Sequence, residues 1–117
     1  MALVKLDQKT FPFFKGATAA GSSDIFNNYG NYTSLSLEVS NATAISLKVQ
    51  GCINVEGIED ANLSWTDLAV INNGDYSVSS NIAANGIYSV GISGLTKIRV
   101  VITSITGDVT VIGVMEV

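Results

Sequence analysis

The sequence predicts an all-β fold, an antiparallel β-sandwich made by one domain over residues 1–117, and three observations carry that expectation. Val, Ile, Thr and Ser recur throughout, with 11 glycines against a single proline, a mixture that favours strands and turns over helices. Several stretches alternate apolar and polar residues with period two, as half-buried strands do. Turn signals separate these stretches about every ten residues, the spacing of a sandwich.

Taking the elements in order, residues 1–30 read as an N-terminal arm, edge strand and loop. "KTFPFF" is an edge strand with Phe11, Phe13 and Phe14 packing inward, because Pro12 lacks a donor and suits an edge. The alternative for these rings is contact with a membrane. "NNYGN" is turn-rich. "SLSLEV" then puts Leu35, Leu37 and Val39 on one face, and "AISLKVQ" does the same with Ile45, Leu47 and Val49. The short link at Asn41 predicts a hairpin between them. Glu56, Glu59 and Asp60 fall in a loop, and Trp65 is expected as a core anchor. A turn at Asn73-Gly74 follows "DLAVI", and "IYSVGIS" sets Tyr88, Val90 and Ile92 opposite Ser89, Gly91 and Ser93.

The last stretch, "KIRVVITSITGDVTVIGVMEV", reads as a hairpin turning at Thr106-Gly107. In that register Ile102 faces Val111, Val100 faces Gly113 and Ile98 faces Met115 on a core face. Thr103 meets Thr110 and Lys97 meets Glu116 on the other. That outer face also carries Val101 opposite Ile112, with Val114 and Ile105, which is too aliphatic for a solvated antiparallel surface. Val101, Ile105, Ile112 and Val114 are therefore the candidate site: an oligomer interface with a second copy of the chain. Charged residues are 14% of the sequence against about 25% in an ordinary soluble domain, and low charge favours self-association.

Other chemistry is disfavoured. A net charge of −4 with six Lys and Arg lacks the basic footprint that nucleic acid or an anionic membrane requires. There is no His, hence no usual general base or metal ligand, and no Gly-x-Ser-x-Gly elbow. The expectation is a protein that is not an enzyme, with no cofactor or metal. Glu59 with Asp67 as a glycosidase pair reads instead as solvated loop acids. Asp60, Asp67, Asn72, Asn73 and Asp75 as calcium ligands read instead as turn residues. Cys52 reads as a small buried hydrophobe. "MALVKL" has no signal-peptide core and no run reaches the ~20 residues of a membrane helix, so the cytoplasm is the expected compartment.

"KTFPFF", "LSLEVSNATAISLKVQG" and "ISGLTKIRVVITSITGDVTVIG" resemble, in that order and spacing, the YomS/XepA family of Bacillus prophage lytic-cassette proteins. The resemblance runs along most of the chain and is weakest between Glu56 and Ile87. It implies a C2-like sandwich that assembles as a homopentameric ring and serves as an accessory of host lysis. The partners implied are the chain itself, with a membrane surface or other lytic-cassette proteins in the host cytoplasm. The N-terminal domain of the family's larger member has no counterpart here, which implies no strong lytic activity of its own. The rival readings are a virion component, such as a tail or decoration ring, and a carbohydrate-binding module using Tyr29, Tyr32 or Trp65.

Overall fold

Alternation in the sequence becomes strand in the molecule. A computed structural model of the chain describes residues 8–53, 59 and 62–117. They form β1 (Gln8–Ala17), β2 (Gly21–Ser22), β3 (Phe26–Asn27), β4 (Ser34–Cys52), β5 (Thr66–Asp67), β6 (Val70–Asn72), β7 (Val78–Ser79), β8 (Gly86–Gly91) and β9 (Lys97–Glu116). The ladders are antiparallel, in the order β1-β9-β4-β8-β6-β7, with β2 and β3 also along β9 and β5 along β4. Among the described residues there is no α-helix, and no helix long and apolar enough to cross a membrane, which says nothing of a β-barrel. The all-β, antiparallel expectation is met. Glu56 and Asp60 lie outside the described residues.

The two expected hairpins are replaced by one long ribbon. β4 runs for 19 residues and β9 for 20, and they pair with each other from Ser34↔Glu116 to Cys52↔Lys97. Ile102 therefore faces Leu47 rather than Val111, Val100 faces Val49, and Ile98 faces Gly51. Thr103 and Thr110 do not meet, nor do Lys97 and Glu116. What looked like a turn at Asn41 and another at Thr106-Gly107 are the two strands of a single corner in this ribbon. Register shifts fall at Ser40/Ala42 and Ala42/Ala44, and such bulges bend the strand that carries them. Asn41 and Gly107 both take left-handed backbone there, with φ of 67° and 84°, which Asn and Gly tolerate best. Asn85 clamps the corner from the side: its Oδ1 accepts from Ala42 N at 3.0 Å and its Nδ2 donates to Ala42 O at 3.0 Å.

The corner divides the ribbon into two halves with the same inward logic. Leu35, Leu37 and Val39 before it, and Ile45, Leu47 and Val49 after it, are all buried in one hydrophobic cluster. From β9 come Ile98, Val100 and Ile102, then Val109, Val111 and Met115. The buried phase switches from even to odd numbers because a bulge between Ser46 and Leu47 leaves Thr103 without an opposite residue. Each fully buried aliphatic side chain contributes about 1.5–3 kcal/mol, so these twelve positions supply much of the drive to fold.

β1 is an edge strand, as Pro12 implied. Phe13 is buried, Phe11 and Phe14 pack against the core, and Phe11 meets Phe13 and Phe26 edge-on at 4.9 and 5.4 Å. Tyr88, Val90 and Ile92 are buried as the alternation predicted, and Cys52 is buried too. Trp65 departs from expectation: it is half-buried at the surface, with the Arg99 guanidinium 4.2 Å above its ring.

Candidate functional site: an apolar sheet face

Outward residues of the half formed by Ser34–Val39 and Val111–Glu116 fall into rows across the sheet. Pro12 pairs with Ile112, Ile112 with Glu38, and Glu38 with Ile87. In the next row Thr10 pairs with Val114, Val114 with Ser36, Ser36 with Ser89, and Ser89 with Ile71, which pairs with Val78. Ile87, Ile71 and Val78 are 51%, 41% and 64% exposed, while Ile112 and Val114 are half-buried by their neighbours. Two shallow grooves follow these rows. One of about 300 Å³ lies between Leu37, Glu38, Ile87, Ile112 and Val114, and one of about 450 Å³ between Leu68, Ile71, Val78 and Val90. Glu38 is the single charged residue in the two rows. Contiguous aliphatics at this density are unusual on the open face of an antiparallel sheet, and they make this face the candidate site.

Of the four candidate interface residues, the structure brings Ile112 and Val114 together and separates the other two. Val101 lies between Lys48 and Ser22 on the far half of the ribbon, so it does not face Ile112. Ile105 pairs with Ile45 and packs against the core; the Thr103 bulge turned it inward. Contrary to the expectation from the sequence, the four therefore do not share one outer face. Ile87, Ile71 and Val78 were missed. Ile87 carried a signal, since it stands in the outward phase of "IYSVG" beside Ser89.

The far half has a different outer face. Asp67 accepts from Lys48 Nζ at 3.0 Å and from Gln50 Nε2 at 2.8 Å, and Arg99 Nε donates to Gln50 Oε1 at 2.9 Å. The Gln50 bond first, and then Lys48, hold the Asp67 carboxyl below its ordinary pKa. Thr103 Oγ1 donates to Ser46 O at 3.1 Å. Polar side chains here already have partners within the chain.

The loop oxygens considered for calcium are taken up in the same way. Asn72 Oδ1 accepts from Gly74 N at 2.8 Å, and Asn73 Oδ1 from Ser89 Oγ at 2.8 Å. Asp75 Oδ1 accepts from both N and Oγ of Ser77, and these bonds lower its pKa. Among the described residues no group of three or more His, Cys, Asp or Glu could hold a metal. Of the three aromatics considered for sugar stacking, Tyr32 is buried, Trp65 lies under Arg99, and Tyr29 is 88% exposed.

No family model matches the chain, and no curated protein does. Among solved structures it is similar to the SPBc2 prophage-derived protein YomS, at 26% identity over 98% of this chain and 97% of that one, with a TM-score of 0.83. It is also similar to the PBSX exported protein XepA, at 20% identity and a TM-score of 0.83, over 98% of this chain and 39% of that one. The chain spans about two-fifths of XepA, and there the likeness shows a shared fold. The resemblance to YomS and XepA first read in three sequence stretches is thus a structural one, and it extends over nearly the whole chain.

Proposed function

We propose that this chain is a prophage-encoded, non-enzymatic protein that assembles with copies of itself into a ring and serves as an accessory of the phage lytic cassette. The apolar face around Ile112, Val114 and Ile87, on a chain similar to YomS over nearly its full length, is the observation that carries this reading. A second copy is its occupant, because the chain has too little charge to hold such faces apart. The two halves of the long ribbon bury their side chains in one cluster, which supports reading them as the opposing layers of a C2-like sandwich. Without a His residue in the sequence the molecule acts by binding and assembly. Strong lytic activity of the chain acting alone is not part of this reading.

Light scattering of the purified protein tests assembly: a mass of several chains is expected, and one chain at every concentration would overturn the ring. Expression in a host cell together with neighbouring cassette proteins tests the role, the expected readout being a change in membrane potential. Finding the polypeptide in purified virions by mass spectrometry, with no effect on the membrane, would replace the lysis reading with a structural one.

A further inference from the structure

We propose that the cleft between the 27–31 loop and the start of β9 binds a neutral saccharide, with Tyr29 as the stacking platform. The site is independent of the assembly reading, since none of its residues belongs to the apolar face. It is a groove of about 330 Å³ lined by Asn27, Asn28, Tyr29, Asn31, Thr96 and Lys97, near the lower end of the roughly 300–1,000 Å³ typical of small-molecule sites.

The loop is built rigidly. Asn28 is 6% exposed, and its Nδ2 donates to Tyr32 O at 3.0 Å and Leu95 O at 2.9 Å while its Oδ1 accepts from Tyr32 N at 2.9 Å. Asn28 N also donates to Thr96 O at 2.8 Å. A side chain on Gly30 would come within 2.5 Å of the Tyr32 ring, so the turn is pressed onto a buried aromatic. Beside it Tyr29 stays 88% exposed, whereas Tyr32 and Tyr88 are 7% and 5% exposed. Exposure alone does not single out Tyr29, because Tyr76 is 80% exposed and lines none of the grooves described above.

The polar groups that line the groove with Tyr29 suit a sugar. A pyranose offers a C–H face to an aromatic ring and hydroxyls that both donate and accept, which a carboxamide matches with one group of each kind. Asn31 stands in left-handed backbone with φ of 53°, and no hydrogen bond of its carboxamide is found among the described residues. Lys97 Nζ donates to Asn27 Oδ1, which leaves the Asn27 NH2 as a donor toward a ligand. A phosphate or nucleotide fits poorly, with one cation in the cleft and a net charge of −4.

Amide chemical shifts of the 117-residue chain, titrated separately with chitobiose, cellobiose and maltose, test this. At least one disaccharide is expected to give saturable shifts at the amides of residues 27–31, 96 and 97. Tyr29→Ala should weaken that binding about tenfold or more, and Tyr76→Ala should leave it unchanged. Asn31→Ala serves as the second variant if the dispersion of the Tyr29→Ala spectrum shows that it does not fold. Absence of saturable shifts with all three sugars, shifts confined to another region, or full affinity in Tyr29→Ala would each overturn the proposal.

Discussion

The two halves of the β4–β9 ribbon are alike inside and opposite outside. Inward, both contribute aliphatic residues at period two to one cluster. Outward, the half that contains Lys48, Gln50 and Arg99 is laced by Asp67 and roofed by Trp65. The half that contains Ile112 and Val114 presents two rows rich in aliphatic residues, in which Glu38 is the single charged side chain. Where outward polar groups find partners within their own chain, the surface is finished; where outward groups are apolar and half-exposed, folding leaves surface for association to bury. The contrast makes assembly through the second half, not the first, the specific expectation.

The largest effect should come from charging that half. Ile112→Asp combined with Val114→Asp places unpaired carboxylates at the proposed contact, where burial costs several kcal/mol per ion. Light scattering should then give the mass of one chain, with β-sheet circular dichroism unchanged. Val101→Asp, on the laced half, should leave assembly intact. Loss of assembly in Val101→Asp alone would reverse the assignment of the two faces.

Next in size is the test of their inward equivalence. Leu37 and Leu47 are each 0% exposed, one on either side of the corner. Truncating either to Ala should cost about 2–5 kcal/mol by removing contacts and leaving a cavity, measured by urea unfolding. Trp65 is the chain's single tryptophan and reports from the laced half, so its fluorescence and the far-ultraviolet signal should unfold together if one core joins both halves. Separate transitions would show two units instead.

How much of this was legible beforehand follows from what period two can and cannot encode. It placed Leu35, Leu37, Val39, Ile45, Leu47 and Val49 on the buried face without error, because alternation depends only on a strand's own residues. It could not say which strand lies alongside. A phase switch between Ile102 and Val109 is produced equally by a hairpin turn and by a bulge with a corner, and the local reading chose the turn. The actual partner of β9 lies more than forty residues away in sequence, and no local pattern records it. The same limit applies to the candidate face: the phase of Ile112 and Val114 puts both outward, as the structure does, whereas placing Val101 and Ile105 beside them depends on a register that does not form. Asn28 was read as turn chemistry, and its burial with three side-chain bonds depended on the distant Leu95 carbonyl.

A smaller effect should separate the halves by their surface chemistry. Arg99→Ala removes the guanidinium from Trp65 and the bond to Gln50, an arrangement worth about 1 kcal/mol at a half-exposed site. Urea unfolding should register that loss, together with a change in Trp65 emission, while the assembly mass stays constant. A change in assembly would mean that the laced face also contacts a second copy.

The smallest effect is a pH dependence confined to the laced half. Asp67 has its carboxyl pKa lowered in the folded chain, first by the Gln50 bond and then by Lys48. Its stabilisation is therefore complete above the ordinary aspartate value of about 3.9 and is lost as pH falls through the lower folded value. Asp67→Asn removes that titration, so wild type and variant should differ in urea midpoint near neutrality and converge in acid. Asp75 carries a shift of the same sign from Ser77 and remains in both proteins, so it cancels from the comparison. Parallel curves down to the acid limit would mean that Gln50 and Arg99 hold the lacing without the Asp67 charge, and the finished character of that face would then rest on neutral hydrogen bonds.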